Sequence, residues 1–192
     1  MPDSNKINDS LIKHKIDNDL IEKIFLGIDK NKNYSKEQKA KNLVLITSRI
    51  DKYLNTEQKI KIMSWCACCK TGKRAKDIRN FSKKYKEKNL HEKIKLLSNV
   101  QYMSSPKIKE NILTTSIEWK QDNIYKCACT SFTNINIGKV SKTYCLCCAG
   151  HFKYHYEKAL DIQLNIKSVI SSALNSQGKY PCIFEYNIIK KA

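Results

Sequence analysis

The alternation of periodicities along the chain predicts an α+β fold, with N-terminal helices followed by a small antiparallel sheet of two hairpins flanked by helices. Three observations predict it. Apolar residues recur at three- and four-residue steps between positions 11 and 100. Short β-prone runs replace that pattern at 114–130 and again from 163 onward. Between them the helical period returns from Tyr144 to Asp161, with Phe152, Tyr156 and Leu160 four apart. Two regions follow: 1–110, mainly helical, and 111–192, mixed helix and strand. Together they are expected to make one domain, or one domain with a helical extension.

Each element has its own signal. Residues 1–10 are polar and read as disordered. Leu11, Ile12, Ile16, Leu20, Ile21, Ile24, Phe25 and Ile28 mark one amphipathic helix over 11–28, and the polar stretch 29–33 ends it. Ser35 with Gln38 three residues on is a capping-box signature opening a helix through Leu54. Asn55-Thr56 starts a shorter helix that runs to Trp65. Residues 73–88 and 90–100 give two more helices, and Ser104-Ser105-Pro106 a turn. Strands at 114–120 and 123–130, turning at Gln121-Asp122, form the first hairpin. Strands at 163–174 and 181–189, joined through Asn175–Gly178, form the second. Trp65 and Trp119 are expected in the core, and His14 and His91 on solvent-facing helix surfaces.

Composition narrows the function. The 192 residues carry a formal net charge of +18. Such an excess invites nucleic-acid binding through phosphate neutralisation. Yet of the 36 basic residues only Arg49, Arg74 and Arg79 are Arg, the type that makes bidentate contacts to phosphate and guanine. A Lys-dominated excess fits a solvated basic surface better, so nucleic acid is not the expected partner. The N-terminal MPDSNKINDS has no apolar leader segment. No apolar run approaches the ~20 residues of a membrane helix. The expectation is a cytoplasmic protein with reduced thiols and no membrane partner, with a homodimer as an allowed assembly.

The cysteines carry the chemistry. Eight of the nine fall in three clusters, Cys66-Ala67-Cys68-Cys69, Cys127-Ala128-Cys129 and Cys145-Leu146-Cys147-Cys148. In a reducing compartment, clustered cysteines indicate metal ligation or thiol chemistry rather than disulfides. On a strand, Cys127 and Cys129 present two sulfurs to one face. At the start of the 145–160 helix, Cys147 and Cys148 gain from the helix dipole, which favours thiolate. His151 lies three and four residues further on, and His155 another turn along. The expected ligand set is Cys66, Cys68, Cys69, Cys127, Cys129, Cys145, Cys147, Cys148 and His151, converging on one shared site. Zinc is the expected metal, since it takes four such ligands tetrahedrally. An iron–sulfur cluster is less expected, because no familiar cluster spacing is present. The solitary Cys182 reads as core filler.

The C-terminal part also resembles a known family. Cys145 leads into Ala149-Gly150-His151-Phe152, and a helix and a strand are followed by Gly178-x3-Cys182-x-Phe184. This pattern, over roughly residues 115–190, resembles the small-molecule-binding domain of the 4-vinyl reductase family. The ending is similar to that of the aminothiazoline-carboxylate hydrolase family, and the CxCC pairs resemble those of Cys-rich proteins from anaerobic, clostridia-like bacteria. The resemblance implies a helix-flanked antiparallel sheet, a pocket for an apolar or tetrapyrrole-like ligand, and a zinc held by Cys and an acidic residue. Cys145 and Cys182 fall on the implied ligand positions. Leu174 and Ser171 stand where the family pattern has a further Cys and the acidic ligand. The other clusters therefore replace those ligands, or the site has moved.

Three functions are compatible with these residues. The first is a zinc-binding domain with a small-molecule binding or sensing pocket beside the cysteines. The second is a hydrolase of the aminothiazoline type, working through a helix-activated thiolate with His151 as base or through an open zinc. The third is a zinc-containing nucleic-acid-binding module.

Overall fold

A computed structural model describes residues 2–29, 32–100, 102–104 and 106–191. Parts of the expected break at 29–33 and of the Ser104-Ser105-Pro106 turn lie outside those residues. The fold is α+β. Six helices come first: α1 (Ser4–Lys13), α2 (Asn18–Phe25), α3 (Lys36–Tyr53), α4 (Thr56–Trp65), α5 (Gly72–Lys84) and α6 (Leu90–Leu97). Then come strands β1 (Lys107–Lys109), β2 (Ile112–Ile117), β3 (Lys120–Gln121) and β4 (Ile124–Tyr125). Helix α7 (Lys142–Leu160) and strands β5 (Ile162–Ser171) and β6 (Cys182–Lys191) complete the chain.

The helix starts follow local chemistry. Ser35 Oγ accepts from the Gln38 N–H at the head of α3. Asn55 with Gln58, and Asn89 with Glu92, form reciprocal capping boxes at α4 and α6. The expected disorder over 1–10 is overturned for the described residues 2–10. The Asp3 carboxylate accepts from the Lys6 N–H and starts α1, which buries Ile7 and Leu11 completely. The expected single helix over 11–28 is two helices. Lys15 adopts a left-handed φ of 56°, and Asp17 then caps α2 by accepting from the Asp19 N–H. The apolar period runs on through this break, which is why spacing alone did not reveal it.

The main sheet has strand order β1-β2-β6-β5 and is antiparallel throughout. Leu113 pairs with Tyr186, Thr115 with Phe184 and Ile117 with Cys182. Cys182, Phe184, Tyr186 and Ile188 alternate inward, while Gln163, Asn165 and Lys167 of β5 face solvent. The second expected hairpin is thus β5–β6. The first is not a hairpin of two full strands. β2 joins the main sheet, and only the two-residue β3 and β4 pair with each other, turning at Asp122-Asn123. Trp119 precedes this small hairpin and is 47% exposed, so it is no core residue. Trp65 is half-buried against the edge of the His14 ring. His14 is itself half-buried, and His91 is exposed.

Helix α7 lies between the sheet and the N-terminal helices, and it is buried on nearly every side. Its sheet-facing side is polar-linked as well as apolar. Tyr156 Oη and Thr115 Oγ1 are 2.6 Å apart, Tyr156 donates to the Ser104 carbonyl, and Tyr186 donates to the Ala149 carbonyl. On the opposite side α4 approaches so closely that a Cβ on Gly150 would lie 2.5 Å from the Ser64 carbonyl oxygen. One hydrophobic core runs through both halves of the chain. The close α4–α7 packing sets the chain leaving α4, residues 66–71, directly onto α7.

Candidate metal centre

The site is built from that connecting segment and from one face of α7. Cys66 caps α4, and the chain then turns through Cys68 and Cys69 before α5 begins at Gly72. Neighbouring residues in an extended chain point to opposite sides. Here Cys69 takes a left-handed φ of 60°, a conformation uncommon for a residue with a Cβ. That turn lets two consecutive sulfurs address one centre. Cys68, Cys69 and His151 each offer one ligand atom, and these lie within 4.8 Å of one another. A tetrahedral zinc needs separations of roughly 3.8 Å between sulfurs, so an ion would draw the widest pair inward by no more than about 1 Å. Among the described residues they are the one group of this kind, and they could hold a metal ion.

His151 is placed for such a role. Its Nδ1 lies 3.0 Å from the Cys68 carbonyl oxygen. The same nitrogen is 4.0 Å from Cys68 Sγ; a carbonyl can only accept, so without an ion Nδ1 donates and the lone pair is on Nε2, and the ring must turn for either nitrogen to ligate. A ring N–H held by a main-chain carbonyl is the usual support of a metal-binding imidazole. Burial holds the His151 pKa below its ordinary value, keeping the ring neutral as ligation requires. The Cys68 thiol is pushed the other way, up to about 11, by burial and then by its neighbours Cys69 and Cys148.

The other expected ligands are distributed differently. Cys66 is buried, its sulfur faces the Lys6 carbonyl of α1, and it is not part of the group with His151. Cys127 and Cys129 do not sit on a strand. The ladder stops at Tyr125, and their segment is irregular, with the Cys129 N–H donating to Cys127 Sγ at 3.3 Å. Cys129 Sγ is 3.0 Å from Tyr144 Oη. Cys145 turns inward to Ser172 Oγ at 3.0 Å. Cys182 is buried on β6 and accepts from the Ala173 N–H, consistent with core packing. The two positions marked by the family resemblance, Cys145 and Cys182, therefore stand in the core rather than in the Cys68–Cys69–His151 group. Cys147 and Cys148, 4.0 Å apart, are not at a helix start. α7 opens at Lys142 under a Ser141 cap, which puts both in its second turn, where backbone N–H groups are already paired.

That placement reverses the expected electrostatics. Burial, then Cys148 and Cys182, raise the Cys145 thiol. The contact with Cys147, then burial, raises Cys148. For Cys147 the Cys148 contact pulls downward, but burial and the surrounding sulfurs outweigh it. These are neutral, packed thiols, opposite in character to a helix-activated nucleophile.

They nevertheless share a cavity with the ligand group. A cavity of about 420 Å³ is lined by Cys68, Cys69, Cys129, Cys147, Cys148 and His151, together with Phe152, Met103 and Ile117. The Arg74 guanidinium stacks 4.6 Å over the Tyr102 ring at its edge, and Tyr102 donates to Asp77. Sequence reasoning did not mark Arg74 or Tyr102, because the signal is spatial. It also left His155 out of the ligand set. His155 is fully buried one turn beyond His151, their ring centroids 4.4 Å apart. The H-x3-H spacing was the available signal.

No helix among the described residues is long and apolar enough to cross a membrane. Comparison with protein-family models, with curated proteins and with solved structures gives no match.

Proposed function

We propose that the protein binds a zinc ion through Cys68, Cys69 and His151, and that the adjoining cavity takes a small apolar molecule. The observation that carries this reading is the convergence of two consecutive sulfurs and a neutral, carbonyl-anchored imidazole within 4.8 Å. The donor set supports zinc over harder cations, because thiolate and imidazole suit a borderline-soft ion whereas calcium and magnesium take oxygen. The cavity supports the second part. Met103, Ile117 and Phe152 supply apolar wall, and the cysteines, His151, Arg74 and Glu118 supply polar atoms. On this reading the cavity occupies the role that the 4-vinyl reductase resemblance implies for its ligand pocket, with the metal moved from Cys145 and Cys182 to the 68–69 turn.

The test is elemental analysis of protein purified without chelators. The expected result is about one zinc per chain, on the usual stoichiometry of such sites, lost when Cys68 and Cys69 are both replaced by Ser. Protein that is metal-free, takes up no added zinc and leaves both thiols freely titratable contradicts it.

A further inference from the structure

Resting on the metal reading above, we infer that His155 is the fourth ligand, closing a two-sulfur, two-nitrogen site that clamps the 66–71 segment onto α7. His155 is 0% exposed, yet neither of its ring nitrogens has a hydrogen-bond partner among the described residues. The Cys69 main chain lies close enough to the ring to raise its pKa slightly against burial, but not at the distance and angle of a formed hydrogen bond. A buried imidazole always carries at least one N–H and one lone pair, or two N–H groups when charged. Leaving both nitrogens unpaired is unfavourable, and a native structure that does so calls for an ion or a water at that spot.

Position selects the ion. His151 and His155 are one helical turn apart on α7, and side chains at i and i+4 share a face. Their ring centroids are 4.4 Å apart. His151 already belongs to the group with Cys68 and Cys69. His155 stands outside the group whose ligand atoms lie within 4.8 Å of one another, so an ion held by those three would have to draw its ring in from one helical turn away, while the cavity lies on the side lined by Cys68, Cys69 and His151. Two thiolates from one turn and two histidines at H-x3-H spacing on one helix form a closed structural set for zinc.

Closure assigns the ion its work. With four protein ligands there is no position for a bound water or substrate, so the ion does not act on the cavity's occupant. It instead fixes the wall formed by Cys68 and Cys69 against the wall formed by Cys147, Cys148 and His151.

Cobalt(II) replacing zinc in the full chain tests this, read by visible absorption and by sulfur and nitrogen counts from X-ray absorption at the metal edge. Wild-type protein should give an intense tetrahedral cobalt spectrum with two sulfurs and two nitrogens. His155→Gln should keep the thiolate charge-transfer band, lose d–d intensity as water enters, and bind cobalt at least tenfold more weakly. His155→Cys should restore the intensity with a third sulfur. If His155→Gln does not fold, the number of imidazole rings counted from multiple scattering in the wild type decides alone, two supporting the inference and one overturning it. A wild-type count of three sulfurs, or a His155→Gln spectrum and affinity equal to wild type, overturns the inference and leaves the three-ligand reading standing. Wild-type protein that binds no cobalt and no zinc overturns both.

Discussion

The CxCC sequence occurs twice, once in the turn after α4 and once inside α7, and only the first copy brings two sulfurs within reach of a histidine. In the turn, the left-handed Cys69 bends the chain so that Cys68 and Cys69 both address His151. In α7, successive side chains rotate about 100° per residue, so Cys145 and Cys148 are neighbours one turn apart, but among the described residues these sulfurs form no such group with a histidine. Cys145 goes to Ser172 and the core, while Cys147 and Cys148 go to the cavity wall. Cys66 is the counterpart of Cys145, and it too turns to the interior, against α1. Spacing alone therefore says that thiols are concentrated. The backbone beneath them decides whether they can share an ion.

The largest expected effect follows from that contrast. Replacing Cys68 and Cys69 together by Ser should abolish stoichiometric zinc, weakening affinity by more than 100-fold, as expected when two thiolate ligands are lost. Replacing Cys147 and Cys148 together by Ser should leave one zinc in place and change only the cavity. Titration against a chromophoric chelator separates the two. Equal loss in both variants would erase the distinction between turn and helix.

Next in size is the packing that brings the turn to the helix. Gly150→Ala would push a methyl to 2.5 Å from the Ser64 carbonyl oxygen, main chain that cannot rotate away. The expected cost is about 3 kcal/mol, at the upper end for overpacking, measurable by urea denaturation of metal-free protein. A variant as stable as wild type would mean that α4 and α7 are not in the contact described.

The pH dependence of metal-free protein sharpens the comparison from the α7 side. Burial, then the neighbouring His151, lowers the His155 pKa from 6.5 to about 4. The unfolded chain thus binds a proton that the folded chain refuses between those values. The stability this contributes is present above pH 6.5 and is lost as pH falls toward 4. The Cys66 thiol is raised from 9.0 to about 11 by burial, so its contribution is present below pH 9 and is lost as pH rises through 11. Thermal melts should show a plateau between these limits with a decline on each side. His155→Gln should flatten the acid limb, and an unchanged acid limb in that variant would contradict the assigned cause.

How much of this was legible beforehand depends on how local the cause was. Ser35 and Asn55 declared the starts of α3 and α4 through their own side chains, and the alternation of Cys182, Phe184 and Tyr186 declared β6. The entry into α2 was not legible, because Ile12, Ile16 and Leu20 keep helical spacing across a break made by the Lys15 backbone. β2 read as a hairpin strand because nothing local says that its partner is β6, some 70 residues away. The candidate site was legible as residue types, with Cys68, Cys69 and His151 all in the expected set. Which three of nine converge depends on the Cys69 conformation and on Gly150, and neither announces itself as part of a metal site. His155 was visible by spacing and became meaningful only with its burial.

The smallest effect tests the sheet side of α7, remote from the turn. Tyr156→Phe removes a hydroxyl that meets both Thr115 and the Ser104 carbonyl. It should cost about 1 kcal/mol while leaving zinc affinity unchanged. A change in affinity would show that the two faces of the helix are coupled.

The most direct measurement is anomalous scattering at the zinc edge from crystals of protein purified without chelator. One peak bonded to the Cys68 and Cys69 sulfurs at ~2.3 Å and to the His151 ring is the result required here. No peak after zinc is supplied, or a peak held by Cys127, Cys145, Cys147 or Cys148 with the 68–69 turn empty, would contradict it.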